Sequence, residues 1–407
     1  MEQLVNIIIT LVAFFVLISL LVFVHELGHF LAAKFFKVYV REFAIGFGKT
    51  VWSKQWRGTK YAVRLVPLGG FVELEGEVST TDNPNAFRNK RAYQKIIILM
   101  AGVFMNIAFA SILFAIFLPT NGYKFNLPAI ADYQFSNTKS SVKAFPITVI
   151  TVAEDGQSKG QLFSGDTIIG IDGKRFLSYS EFQQELKGVQ DKTVKFEFVS
   201  LDTFETSERD IKVGKADDKG AILNVSLNYD RTQPYPIYLI RFNENITSAV
   251  SLTGDTSFYL LKSLGGLLGN AFRTGDYTEV AQSVGGLPKL ADNVGQVVEF
   301  KAYDILIPLA ALISISLAIF NVLPFPALDG GQAAVVVIET ITRRKIADRT
   351  LSIINTVGFF VLIGLAIVVN FKDVIQLGWL NSIGDFFKNI LGRWWHFRSN
   401  LLKSLSL

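Results

Sequence analysis

The pentapeptide His25-Glu26-Leu27-Gly28-His29 carries the residue types best suited to chemistry in this chain. On an α-helix, residues four positions apart lie one above the other on the same face, so two imidazoles can bind one Zn²⁺. The glutamate beside the first histidine then points toward a water that the metal activates. It can take a proton from that water and later pass one to a departing amine, which is hydrolase chemistry. A polar patch that packs helices is the alternative.

This motif lies inside an apolar segment. Residues 4–24 are almost wholly apolar, and apolar residues resume at 30–33, before Lys34. At 1.5 Å per residue the run exceeds the ~30 Å hydrocarbon thickness of a bilayer, so it predicts a membrane-spanning helix. A signal peptide is the alternative, but the run is too long and begins beside Glu2 instead of a basic segment. Histidine and glutamate are costly to bury in lipid, so their presence in a span indicates function.

The composition also favours the membrane class. Half of the 407 residues are hydrophobic, and the mean hydropathy is +0.35. The chain contains no cysteine, so any zinc must be held by histidine and carboxylate. The formal net charge of +5 is not gathered in one basic run, which argues against nucleic acid as a partner.

Three further apolar runs, at 96–118, 305–323 and 351–369, predict three more spans. We interpret residues 246–272 as an amphipathic helix on the membrane surface, with a fifth span as the alternative. The aromatic and basic residues of 386–398 indicate a second interfacial helix, and His396 is expected to be a surface residue within it.

The charge distribution predicts the orientation in the membrane. Residues 34–95 contain twelve Lys or Arg against five Asp or Glu, and residues 343–349 add four basic side chains. Because positive charge accumulates on the cytoplasmic side, both loops are expected there. The segment 121–304 and both termini are then expected outside the cytoplasm.

Within that outer segment, residues 145–229 predict a small β-rich domain. Residues 147–152 and 194–199 alternate between apolar and polar side chains, and Asp172-Gly173 predicts a hairpin turn. A short helix is expected at 179–187.

Zinc needs a third protein ligand, and Asp329 is the best candidate. It follows Pro324 and Pro326, which break the third span at membrane depth, and precedes Gly330 and Gly331, which allow close backbone approach. Irregular backbone inside a bilayer is tolerated only where protein or a water-filled cavity satisfies it, so this segment is expected to border the metal. Capping of the following helix is the alternative role for the aspartate, and capping and ligation can coexist.

The HExxH motif in a first span and the N-x-x-P-x-P-x-L-D-G-G segment at 321–331 together resemble the site-2 protease family of intramembrane zinc metalloproteases. The order of four spans with one extracytoplasmic domain is similar to the bacterial sigma-factor-regulating branch, the RseP type, over nearly the whole chain. The resemblance implies that His25, His29 and Asp329 bind one Zn²⁺ per chain. It implies that Glu26 is the general acid and base.

The resemblance also implies substrate-binding residues. Asn321 matches the position that holds the substrate backbone, and Pro324 and Pro326 belong to the same segment. Gly69 and Gly70 resemble a Gly-Gly hairpin loop that dips into the membrane from the cytoplasmic side and pairs with an extended substrate. An ordinary hairpin is the alternative.

Two further segments resemble parts of the family. Residues 101–106, A-G-V-F-M-N, resemble the second-span segment A-G-P-x-x-N, with Val103 in place of the proline that would kink the helix. Residues 164–173 resemble the G-D-x-I-x-x-I-x-G signature of a PDZ domain.

The predicted fold is a polytopic α-helical membrane protein with four transmembrane helices, a membrane-dipping β-hairpin loop and one extracytoplasmic PDZ-like α+β domain. The predicted segments are the first helix with HExxH (1–36), a cytoplasmic loop with the hairpin (37–94), the second helix (95–120), a linker (121–144), the PDZ-like domain (145–229), amphipathic connecting helices (230–304), the third, proline-broken span (305–341), the fourth helix (342–371) and an interfacial C-terminal helix (372–407).

The expected function is that of a zinc metalloendopeptidase in the bacterial cytoplasmic membrane. The resemblance implies regulated cleavage, within the lipid bilayer, of single-span membrane proteins of the anti-sigma-factor type or of signal-peptide remnants. It also implies that an upstream protease trims the substrate first, and that the PDZ-like domain acts as a size filter; binding of peptide C-termini is that domain's alternative role. A catalytically silent scaffold and a transporter with an intramembrane metal site are the alternatives from other classes.

Overall fold

The computed structural model describes residues 2–77, 83–152, 159–215, 223, 225–228 and 236–379. The interfacial helix predicted within 372–407 lies almost entirely outside the described residues, as does His396. The chain divides into two compact units, one formed by Met1–Phe109 and Leu267–Leu407 and the other by Ala110–Gly266.

The N-terminal part of the first unit is built from two long apolar helices joined by a folded β-hairpin. The first helix has 34 residues and reaches a mean hydropathy of 3.3, as expected of a chain segment that loses its contact with water. The elements are α1 (Glu2–Phe35), β1 (Val40–Trp56), β2 (Thr59–Leu74) and α2 (Ala92–Thr120).

The hairpin folds back on itself. The first half of β1 pairs with β2 on both sides, so that Ala44 lies opposite both Ala62 and Phe71. The chain reverses at Arg57-Gly58, where both residues have left-handed backbone. Gly69 and Gly70 therefore lie inside β2, which differs from the hairpin loop predicted around them. Gly69 has a φ of +112°, a conformation that glycine adopts without strain, and marks an irregularity of the strand.

The second unit contains two antiparallel sheets. The larger has the strand order β10-β5-β6-β8-β9, with β7 on β6, and the smaller has the order β3-β11-β4. The elements are β3 (Lys124–Pro128), β4 (Thr138–Ala144), β5 (Ile147–Val152), β6 (Thr167–Ile171), β7 (Lys174–Arg175), α3 (Tyr179–Gly188), β8 (Thr193–Val199), β9 (Thr206–Lys212), β10 (Val225–Asn228), β11 (Ile237–Phe242) and α4 (Thr247–Thr274).

The strands predicted at 147–152 and 194–199 and the helix predicted at 179–187 are confirmed as β5, β8 and α3. The hairpin turn at Asp172-Gly173 is also confirmed, because both residues have positive φ.

The smaller sheet corrects the predicted organisation. Residues 121–144, predicted as a linker, contribute β3 and β4. Residues 230–304, predicted as connecting helices, contribute the central strand β11.

Five further α-helices lie in the described part of the first unit after residue 274. Among them α6 is amphipathic and buries Val294, Val297 and Val298, packing against α1 and α9. These helices are α5 (Thr278–Ser283), α6 (Leu287–Glu299), α7 (Leu306–Val322), α8 (Asp329–Thr342) and α9 (Asp348–Gln376).

Polar side chains of α9 cap the start of α6. Asp373, which is 1% exposed, accepts a hydrogen bond of 2.6 Å from the Gly286 N–H, and Asn370 Oδ1 accepts one of 2.9 Å from the Leu287 N–H. Because these helix-end N–H groups have no partner within their own helix, the two side chains join α6 to α9.

Four helices among the described residues are long and apolar enough to cross a membrane: Val5–Phe35, Ala92–Thr120, Tyr303–Val322 and Asp348–Gln376. They agree with the four predicted spans, and α4 is not one of them. Exposed apolar side chains such as Phe360 and Val368 on α9 are what lipid contact requires.

The third span ends where predicted. Helix α7 stops at Val322, and the irregular segment that follows contains Pro324 and Pro326 before α8 begins at Asp329. A Cβ on Gly331 would collide with the carbonyl oxygen of Phe325. The tight connection therefore requires a residue without a side chain at the start of α8.

Replacement of Gly331 by alanine should destabilise this connection. The added methyl group meets backbone, which cannot move aside as a side chain can, so we expect a loss of about 1–3 kcal/mol. Thermal unfolding of the full chain in detergent measures the loss. Gly364→Ala on α9 is the control, because nothing lies within 4 Å of a Cβ at that position. Equal melting temperatures for the two variants would contradict the argument.

Candidate metal centre

Three side chains from the two ends of the chain meet in the first unit. His25 and His29 lie on consecutive turns of α1 and are buried, and Asp329 is the first residue of α8. The distance from His25 Nε2 to Asp329 Oδ2 is 3.1 Å, and that from His29 Nε2 to the same oxygen is 3.3 Å. The two Nε2 atoms are 3.2 Å apart. The structure thus brings together the three residues predicted to bind the metal.

This triangle of atoms fits a tetrahedral zinc site. Zinc–nitrogen and zinc–oxygen bonds of about 2.0–2.2 Å place neighbouring ligand atoms about 3.3–3.5 Å apart. The three observed separations are close to that spacing, and the donor set of two imidazoles and one carboxylate suits Zn²⁺. Three protein ligands also leave a fourth position for water or substrate.

Each imidazole is oriented by a partner on α2. The Nδ1–H of His29 donates to the Ile98 carbonyl oxygen at 2.9 Å, so Nε2 of that ring keeps its lone pair for a ligand. The side-chain amide of Asn106, which is fully buried, lies 3.2 Å from His25 Nδ1. A Cβ on Gly102 would collide with His29 Nε2, so a glycine is needed where α2 passes the two rings.

Glu26 lies in the same cavity as the three side chains. The cavity has a volume of about 370 Å³. A Cβ on Gly70 would lie 3.5 Å from Glu26 Cγ, and Val72 lines the same cavity. Strand β2 thus lies directly against the glutamate, and Ser19 Oγ on α1 fixes it there by donating to the Pro67 carbonyl oxygen at 2.9 Å.

The residues predicted to bind substrate divide into two groups. Asn321, Gly69 and Gly70 line the cavity. Pro324 and Pro326 do not line it, and Pro326 instead lies against Gly358 of α9. The prolines therefore shape the segment before Asp329, whereas the asparagine and the glycines face the site.

Sequence reasoning missed a third carboxyl group in the cavity, beside those of Glu26 and Asp329. Glu77 lines it and is mostly buried, and burial raises the pKa of this carboxyl to about 7. The motif search passed over this residue because a single glutamate after a strand carries no recognisable spacing.

A neighbouring cavity of about 310 Å³ is also lined by Glu77 and shares Leu99 with the first. Its wall contains charged side chains from several elements: Arg88, Lys95, Glu339 and Asp348. Arg88 and Asp348 form an ion pair across this cavity. A polar space therefore adjoins the candidate metal centre on one side.

Two histidines and an aspartate with zinc-like spacing, beside a glutamate and among helices of membrane-spanning length, define a membrane-bound metallopeptidase. The sequence model of Peptidase family M50 matches residues 13–365 of this chain. The chain belongs to this family, the site-2 protease family of zinc metalloproteases.

Curated relatives cover most of the chain. A protein of Clostridium perfringens named as a zinc metalloprotease is 31% identical over 88% of this chain and 96% of its own length. A protein of Campylobacter jejuni with a similar name is 30% identical over 88% of this chain and 92% of its own. One from a Nostoc species is 29% identical over 88% of this chain and 94% of its own.

Among solved structures, the PDZ domain of an SdrC-like protein of Listeria monocytogenes is similar to part of the chain. The identity is 30%, and the match covers 21% of this chain and 90% of that domain, with a TM-score of 0.19.

Removal of the Asp329 side chain should abolish stable zinc binding. The Asp329→Ala variant loses the only carboxylate of the three-residue cluster, and two imidazoles alone leave the ion two ligands short. Zinc content of the purified full chain, measured by elemental analysis after dialysis, is expected to fall to background. Asp304→Ala, at an exposed position before α7, should keep the wild-type zinc content. Retention of zinc by Asp329→Ala would show that another residue completes the site.

Proposed function

We propose that this protein is an intramembrane zinc endopeptidase that carries out regulated intramembrane proteolysis. Its substrates are single-span membrane proteins of the anti-sigma-factor type or signal-peptide remnants. One observation carries the proposal. His25 and His29 lie inside a helix of membrane-spanning length, and both contact Asp329, which follows the break at the end of a second such helix. A scaffold or a transporter has no need for a glutamate beside such a cluster.

In the proposed site, His25, His29 and Asp329 hold one Zn²⁺ per chain. When bound, the ion supplies Lewis acidity, which lowers the pKa of water and polarises the scissile carbonyl. Glu26 takes the proton from the attacking water and passes a proton to the departing amine. Strand β2, which lies against Glu26, keeps this side chain beside the metal ligands for both transfers.

The substrate must first unwind, because a helix hides its peptide carbonyls within its own hydrogen bonds. Among the described residues, 70–74 of β2 pair only with β1, so this part of the strand has a second edge available. An extended substrate segment can add to that edge, with Asn321 holding its backbone from the opposite wall of the cavity. The two glycines at this point of β2 leave room for the Phe47 ring and the Ala44 carbonyl oxygen, which a Cβ on Gly69 or Gly70 would meet.

We place the protein in the bacterial cytoplasmic membrane as a multi-pass protein. The basic loop 34–95 is cytoplasmic in this orientation, and the hairpin dips into the membrane from that side. The metal centre lies within about 14 Å of Lys34, by the rise of 1.5 Å per residue along α1. Cleavage is therefore expected in the cytoplasm-proximal part of the substrate span.

The PDZ-like domain and both termini lie outside the cytoplasm in this topology. We assign the domain the role of a filter that admits substrates only after an upstream protease has shortened their outer parts. Capture of peptide C-termini is the alternative, and it would require a substrate with a free terminus on that side.

The two glutamates of the cavity should differ in their effect on cleavage. Glu26→Gln removes the proton acceptor, so we expect cleavage of a tagged single-span substrate to fall by about 10²–10⁴-fold while zinc remains bound. Glu77→Gln, which keeps the shape of a neutral carboxyl, should reduce cleavage by less than about tenfold. Single-turnover cleavage in proteoliposomes measures both variants. Cleavage by Glu26→Gln at the wild-type rate would refute the proposed mechanism.

Asn321 should contribute to substrate binding and positioning and leave the metal unaffected. Loss of one backbone-directed hydrogen bond in Asn321→Ala should lower kcat/KM by about tenfold with the zinc content unchanged. Ser316→Ala on the same helix, whose hydroxyl bonds only within α7 to the Leu312 carbonyl oxygen, is the matched control. If both variants cleave like the wild type, the asparagine does not contact the substrate.

A further inference from the structure

Asn106 has a polar side chain with no role in the mechanism above. It is fully buried in the middle of α2, where an unpartnered amide is costly. Its amide nitrogen lies 3.2 Å from His25 Nδ1, whereas its Oδ1 has no hydrogen-bond partner among the described residues. Such a group in an otherwise apolar helix needs a physical reason.

The geometry of His25 identifies which ring nitrogen faces the metal centre. Nε2 lies 3.1 Å from Asp329 Oδ2 and 3.2 Å from His29 Nε2, so Nε2 is the atom that belongs to the ligand triangle. A neutral imidazole carries its proton on one nitrogen only. Ligation through Nε2 therefore requires the proton on Nδ1, and that N–H then requires an acceptor.

Only one orientation of the amide supplies this acceptor. A half turn about the side chain exchanges the oxygen and nitrogen positions of an asparagine, so the atom 3.2 Å from Nδ1 can be Oδ1. In that orientation Nδ1–H donates to Oδ1, and Nε2 keeps its lone pair. In the other orientation the amide donates to Nδ1, the ring proton moves to Nε2, and His25 cannot bind a metal.

We propose that Asn106 is a positioning residue of the metal centre, whose side-chain oxygen accepts the Nδ1–H of His25 and so holds the ring in its metal-binding tautomer. It does for His25 what the Ile98 carbonyl oxygen does for His29. The inference rests on the proposed zinc site and adds a residue from α2 to it.

The backbone of Asn106 extends this role to a third helix. Ser314 Oγ on α7 donates to its carbonyl oxygen at 2.8 Å, and both groups are buried. The residue thus contacts α1 through its side chain and α7 through its main chain. These two contacts can be removed separately by mutation.

Zinc affinity of the full chain in detergent, measured by competition with a chromogenic chelator, tests the proposal. Asn106→Leu has a similar size but no acceptor, and we expect its affinity to fall by about 10–100-fold, as is typical when a partner of a metal-binding histidine is lost. Asn106→Asp retains an acceptor and should bind zinc at least as tightly as the wild type. Ser314→Ala removes only the backbone contact and should leave zinc affinity unchanged.

The outcomes separate the possible failures. Wild-type zinc affinity in Asn106→Leu would overturn the inference. Equal losses of affinity in the leucine and aspartate variants would also overturn it, since the amide would then act as a donor or only fill space. If the leucine variant fails to fold, the aspartate variant still decides, because a donor role predicts a loss there and an acceptor role does not. A wild-type chain that binds no zinc would instead refute the proposed function.

Discussion

His25 and Asp329 are 304 positions apart, and their side chains meet at 3.1 Å among apolar helices. Water cannot replace either partner there at low cost, so a carboxylate and two imidazoles at this depth must satisfy one another or share an ion. The other features of the first unit follow from that requirement. The helix break after α7 places Asp329 beside the two histidines. The glycines of α8 and α2 let the neighbouring backbone and the imidazole rings approach closely. Helix α2 provides the hydrogen-bond acceptors for the Nδ1–H groups of both rings.

The site is consequently assembled from four elements, three from the first 120 residues and one that begins at Asp329. Helix α1 carries the histidines and the glutamate, α8 carries the aspartate, α2 orients the rings, and β2 lies against the glutamate. Each element is held by polar contacts of its own, such as those from Ser19 to Pro67 and from Ser314 to Asn106. A small shift between α1 and α8 would therefore open the ligand triangle without unfolding any helix.

The sequence was sufficient to predict those parts of the site whose residues have a fixed local spacing. The histidine pair, the glutamate between them and the proline-broken segment before Asp329 all follow from short motifs, and the spans follow from hydropathy. Pairings between distant segments could not be read in this way, so β3, β4 and β11 were taken for a linker and connecting helices. Glu77 was missed, and the segment that contains Asn106 was noted without the contact to His25, because a single polar residue shows its partner only after the chain has folded. Gly69 and Gly70 were placed in a hairpin loop on the resemblance to the family, whereas here they lie within β2.

Glu77 lines both cavities, and this bears on how water reaches a hydrolytic site that lies among membrane-length helices. Each bond broken consumes one molecule of water, and the helices around the metal centre exclude it. The neighbouring cavity has four charged side chains in its wall, Arg88, Lys95, Glu339 and Asp348, which can hydrogen-bond water. For the proposed reaction, the shared residues Glu77 and Leu99 give water a way to the metal centre from the neighbouring cavity, separate from the way that a peptide would take from the bilayer.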